Sequence, residues 1–150
     1  MRLEERITAI KGKNVLLLQG PMGDFFNKLD NICTKNGAFV TRIGFNAGDA
    51  YFSKSKNYIA YKAKPKQWPK FINKFYQDNN IDIVFLFGDC RFYHKMAIKI
   101  ARNLGISVYV FEEGYLRPGF ITMESYGVNN HSKMLRDREF YDAYMPLTKP

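Results

Sequence analysis

Cysteine, histidine and tryptophan are scarce in this chain: two, two and one among 150 residues. Cys33 and Cys90 stand in unrelated contexts with no metal-ligand spacing around either. A disulfide framework and a zinc module are therefore excluded as the basis of the fold, and the pair reads as two reduced thiols with no metal site. Long apolar runs are missing too. A bilayer-spanning helix needs about 20 apolar residues, whereas the longest run here, "IDIVFLFG" at residues 81–88, has the length of a buried strand. The opening "MRLEERITAIKGKN" mixes both charge signs and has no apolar centre, so it does not read as a secretory signal. A cytoplasmic protein is the expectation.

Acidic residues are in deficit, 14 against 23 Lys and Arg, for a formal charge of +9. Such a surplus points to anionic company: nucleic acid, a phosphorylated small molecule, or an acidic membrane face. Much of it falls in one segment, where Lys54, Lys56, Lys62, Lys64, Lys66, Lys70 and Lys74 alternate with Tyr51, Tyr58, Tyr61, Trp68 and Phe71. That interleaving fits a surface for single-stranded nucleic acid, a surface resting on lipid headgroups, or simply a solvated lysine-rich face. The chain carries no recognisable nucleic-acid motif, and a nucleic-acid partner is not expected.

What the sequence has in quantity is alternation. Apolar residues make up 46% of the chain, enough for a core in a single domain. "NVLLLQ" is a short buried strand running into "GPMG". "DFFNKLDNICTKNG" has helical spacing between an N-cap at Asp24 and a stop at Gly37, and "AFVTRIGF" resumes as a strand. Residues 46–64 show no clean period and read as a loop with at most a short element. Pro65 and Pro69 bracket the start of a second helix, "PKFINKFYQDNN", with Phe71, Ile72 and Phe75 as its stripe. Then come the strand at 81–88, a helix over 92–104 with Ala97, Ile100, Ala101 and Leu104 on one face, and the strand "ISVYVF". "GFITMESYGVNNHS" reads as a strand and polar loop, and "KMLRDREFYDAY" as a short helix. The pattern predicts an α/β fold, a Rossmann-like parallel sheet with helices on both faces.

In such a sheet, ligands bind where the carboxyl ends of the strands meet the following loops. Those loops are "QGPMGD", "GFNAGDAY", "FGDCRFYH" and "EEGYLRP", all rich in glycine and polar residues, while the opposite turns "TKNGA", "DNNID" and "NLGIS" are bland. Gly20 and Gly23 enter a helix whose N-terminus suits an anion, or merely permit a tight turn. Asp89 is placed to cap the next helix, but capping leaves Arg91, a fork for carboxylate or phosphate, and His94, a proton carrier, without a reason. Glu112 and Glu113 leave a strand and point to opposite faces while it persists. One can then face the cleft as a base while the other pairs with Arg117 or Arg91, or both can serve a structural Glu–Arg pair.

"LLLQGPMGDFF", "FNAGDAYF", "FLFGDCRFYH", "VFEEGYLRPGFITMESYGVN" and "LRDREFY" together resemble the bacterial capsular polysaccharide biosynthesis/export proteins, from about Asn14 to Tyr141. "RFYH" has phenylalanine where many relatives have proline. The resemblance implies the N-terminal, Rossmann-type domain (residues 1–150) of a longer GT-B-like, retaining β-Kdo glycosyltransferase, whose second domain and catalytic aspartate lie outside this chain. It implies CMP-Kdo as donor substrate with no cofactor, and a lysophosphatidylglycerol-type lipid or its Kdo linker as acceptor. It also implies peripheral placement on the inner face of the inner membrane, beside other capsule assembly and export proteins. On that reading Glu112, Glu113 and His94 are the catalytic candidates, and Gly20, Gly23, Asp89, Arg91, Tyr115 and Arg117 the substrate-binding ones. The chain alone would be inactive. The alternative is a non-catalytic module that binds a nucleotide or an anionic glycolipid.

Overall fold

The structure is a computed structural model that describes residues 9–21, 23–114, 120–125, 127, 128 and 132. Six strands form one sheet: β1 (Asn14–Leu18), β2 (Phe39–Gly44), β3 (Tyr58–Ala60), β4 (Ile83–Phe87), β5 (Ser107–Glu113) and β6 (Ile121–Glu124). Their spatial order is β3-β2-β1-β4-β5-β6. The first five run parallel, with Leu16 opposite both Thr41 and Val84, and Phe85 opposite Tyr109. Only β6 is antiparallel, pairing Ile121 with Glu113. The expected Rossmann-like architecture is the observed one.

The helices are α1 (Phe25–Lys35), α2 (Ala47–Phe52), α3 (Trp68–Asp78) and α4 (Phe92–Asn103). β1 sits at the centre of the sheet, and Val15, Leu16, Leu17 and Leu18 are completely buried. Side chains alternate across a strand, so β1 feeds two cores. Leu16 and Leu18 join Ile43, Trp68, Ile72, Val84, Leu86, Ala97, Ala101 and Val110 under α3 and α4. Val15 and Leu17 join Phe26, Cys33, Val40, Phe85 and Phe111 under α1. Each fully buried aliphatic of this kind contributes about 1.5–3 kcal/mol, which explains why an all-apolar run, rather than an alternating one, marks the central strands.

Local signals account for the boundaries. Asp24 is the N-cap residue of α1, but its carboxylate accepts from Asn27 Nδ2 at 2.9 Å instead of capping a backbone N–H. Gly37, at φ +83°, ends the turn after α1, and Gly105, at φ +74°, does the same after α4. Two expectations are corrected. Residues 46–64 hold a helix and an edge strand, because Asn46 and Asp49 form a reciprocal capping box that starts α2. The buried stripe of α4 is His94, Ala97, Ile98 and Ala101, while Leu104 is 39% exposed. The helix expected in "KMLRDREFYDAY" lies outside the described residues.

Candidate functional site

The order of strand addition reverses between the parallel neighbours β1 and β4. From there β2 and β3 build outward on one side and β5 on the other, so the loops after β1 and β4 flank a crevice at the carboxyl ends of the strands. The four strand ends that lead into the polar loops share one edge, since β1, β2, β4 and β5 are parallel.

Three of those loops are tied by a polar chain. The exposed Arg91, just before α4, donates from Nη1 to Gln19 Oε1 at 3.1 Å, across the crevice. Gln19, directly after β1, donates from Nε2 to both carboxylate oxygens of Asp49, at 3.1 and 3.3 Å. The Asp49 carboxylate also accepts the backbone N–H of Phe45 at 2.7 Å and of Asn46 at 3.3 Å. Gln19 is only 8% exposed and sits at φ +41°, the left-handed region that costs a residue with a Cβ about 1–2 kcal/mol. Neither Gln19 nor Asp49 was singled out from the sequence. The findable signal was the N-x-x-D box at 46–49, which fixes Asp49.

Gly20 is packed against α1: a Cβ there would stand 2.7–2.9 Å from the Phe26 side chain. Gly23 faces open space at φ +98°. A close fit against α1 therefore explains Gly20, and a left-handed turn explains Gly23.

Asp89 does not cap α4, whose N-cap is Arg91 and which has no side-chain cap bond. Its buried carboxylate instead accepts the Val128 N–H at 3.2 Å and the Cys90 thiol at 3.2 Å. That thiol is held above its ordinary pKa, chiefly by this hydrogen bond and the Asp89 charge. His94 is completely buried, and its Nδ1 donates to the Gly88 carbonyl at 2.7 Å. Burial, with Arg91 adding to it, lowers its pKa to about 4, so the ring is neutral near pH 7. Its Nε2 has no hydrogen-bond partner among the described residues. His94 thus braces the loop that carries Asp89 and Arg91.

β5 persists through Glu113, so Glu112 and Glu113 do point to opposite faces. Glu112 is half-buried, shares the α4-side face with Val108 and Val110, and contributes to holding the Cys90 proton. Glu113 is exposed, and its N–H is capped by Glu112 Oε1 at 3.1 Å. Tyr115 and Arg117 lie outside the described residues. The structure therefore gathers Gln19, Gly20, Asp89, Arg91, His94 and Glu112 along one edge. Among the described residues no group of three or more His, Cys, Asp or Glu is placed to hold a metal ion.

Two cavities lie elsewhere. One of about 530 Å³ borders Asn27, Asp30, Lys54 and Asn57 beside α1. Another of about 860 Å³ opens at the amino ends of β4 and β5, between Ile10, Phe85, Tyr109 and Met123. Neither holds any of the strand-end residues. In the lysine-rich segment, Trp68 and Tyr61 are buried and pack, mostly edge to face, against each other and against Phe45, Phe71 and Tyr93. Those aromatics are core rather than a base-stacking surface, while Lys62, Lys64, Lys66 and Lys70 are exposed. No described helix is long and apolar enough to cross a membrane.

Fold and edge together define a Rossmann-like α/β domain with a polar edge at the carboxyl ends of its parallel strands. The family model described as capsule polysaccharide biosynthesis protein matches residues 82–146. The chain is 42% identical over 141 residues to the capsule polysaccharide export protein KpsS of Escherichia coli, covering 94% of this chain and 36% of that protein. It is 40% identical over 136 residues to the capsule polysaccharide modification protein LipB of Neisseria meningitidis serogroup A, covering 89% of this chain and 32% of that one. The serogroup B LipB matches equally. The chain is thus similar to capsule polysaccharide export and modification proteins, and it spans about a third of the length of these proteins.

Proposed function

We propose that the chain is the acceptor-side domain of a capsule β-Kdo glycosyltransferase of GT-B type. Its reaction would move Kdo from CMP-Kdo to a lysophosphatidylglycerol-type lipid or to the Kdo linker already on it. The observation that carries this reading is the convergence of Gln19, Asp89, Arg91 and Glu112 on one strand-end edge, in a chain related to capsule proteins along nearly all of its length. Arg91 suits the negative charge of donor or acceptor. Glu113 or Glu112 takes the proton of the attacking hydroxyl or organises the site around it, and His94 holds the Gly88 loop in place. The exposed lysines around α3 steer the protein to the anionic inner face of the inner membrane, beside other capsule assembly and export proteins.

The test is to incubate the complete gene product with CMP-Kdo and lysophosphatidylglycerol and to weigh the lipid by mass spectrometry. Gain of Kdo, lost in Glu113→Gln without loss of fold, supports the reading; unmodified lipid from a folded protein contradicts it. A lipid or nucleotide that binds without any transfer would favour the second reading, a non-catalytic module for anionic ligands, which Arg91 equally suits.

A further inference from the structure

The geometry points to a built oxyanion receptor at the β1/β4 crevice, in which Arg91 is the receptor and Gln19 and Asp49 are its positioning residues. Asp49 is the fixed end. Its carboxylate is anchored by the Phe45 and Asn46 amides, and its own N–H is held by Asn46 Oδ1 at 2.9 Å. A carboxylate only accepts, so it dictates that the Gln19 amide turns Nε2 toward Asp49 and Oε1 toward Arg91. With an obligate acceptor on one side and the Arg91 donor on the other, these two partners fix the orientation of the Gln19 amide.

The consequence lies in the charge. The group that grips Arg91 is a neutral amide, and among the described residues no carboxylate forms an ion pair with it. A glutamate at position 19 would orient the guanidinium as well but would neutralise it. The amide orients it and leaves the positive charge, with its remaining N–H donors, at an exposed position on the substrate edge. The strain stored at Gln19 belongs to this arrangement, as backbone outliers at ligand sites commonly do. A guanidinium held in this way recognises a carboxylate or a phosphate through paired hydrogen bonds. The inference rests on the strand-end edge being the substrate side, but it does not require that Kdo be transferred.

Isotopically labelled full chain, followed at the Arg91 Nε–Hε signal, would be titrated separately with Kdo (a sugar carboxylate), CMP (a nucleotide phosphate) and lysophosphatidylglycerol (a lipid phosphate). The expected result is saturable movement with at least one probe, and the strongest identifies the source of the oxyanion. Asp49→Asn should weaken that probe roughly tenfold or more, because an amide at 49 lets Gln19 flip and present N–H to Arg91. Gln19→Met should weaken it similarly, and the double variant should be no weaker than the single ones, as for links of one chain. Should Asp49→Asn unfold the protein, Gln19→Met decides alone. No movement with any of the three probes, or wild-type affinity in a folded Gln19→Met, overturns the inference. Failure of Kdo transfer with these results intact would count only against the enzymatic reading.

Discussion

The Asp89 carboxylate accepts the Val128 N–H at 3.2 Å, joining the loop after β4 to a residue 39 positions later in the chain. Val128 is itself completely buried in the α3/α4 core. The bond therefore fixes the return of the chain beyond β6 against the edge that holds Arg91. The same carboxylate keeps the proton on Cys90.

Asp89→Ala removes the acceptor of a buried amide and should cost about 1–3 kcal/mol in denaturant unfolding. Asp89→Asn keeps one acceptor oxygen and should cost less. Either change should speed alkylation of the exposed Cys90, since the group that raises its pKa is gone. Cys33, buried and pushed up to about 11, should react only on unfolding. Timed labelling with mass detection separates the two thiols. An unchanged Cys90 rate in both variants would contradict the assigned contact.

His94 makes stability depend on pH. Its folded pKa, about 4, lies below the ordinary 6.5, so between those values the unfolded chain binds the extra proton. Stability from this group is complete above about pH 6.5 and is lost as pH falls toward 4, by up to roughly 3 kcal/mol. Asp24 and Asp82, both held below the usual carboxylate value of 3.8, add their loss only at lower pH. His94→Gln should flatten the curve between pH 6.5 and 4, whatever its effect on stability at pH 7. Denaturant midpoints across that range check it; an unaltered slope in the variant would show that another group titrates there.

The lysine face gives a third expectation. Lys62, Lys64, Lys66 and Lys70 are exposed, and each lysine near an anionic bilayer is worth about 1 kcal/mol. The chain should sediment with vesicles containing phosphatidylglycerol at low salt, dissociate as salt rises, and be released by changing these four lysines to glutamine. Absence from the vesicle pellet at low salt would remove the membrane-steering role.

The fold was legible where the chain obeys one period. β1 from Val15 onward and β4 are apolar because both of their faces are covered, and α1 runs between Asp24 and Gly37, the two residues that mark it in the sequence. Residues 46–64 were not legible as elements. The six-residue α2 depends on a polar box, and β3 is an edge strand too short to show alternation. The common edge could be read from the character of the loops, but its internal wiring could not. Gln19 looks like the last residue of an apolar strand, and its role appears only when the β2 loop brings Asp49 beside it. His94 continues the stripe of Ala97 and Ala101 by one helical turn, a pattern that signals burial as much as chemistry.

The claim that the carboxyl-end edge is the substrate edge is tested most directly by amide shift mapping of the labelled chain with CMP and with lysophosphatidylglycerol. The account predicts that the shifts concentrate at Gln19, Gly20, Gly88, Arg91 and Glu112. Shifts confined to the opposite turns at Gly37, Asn80 and Gly105, or none with either compound, would contradict it.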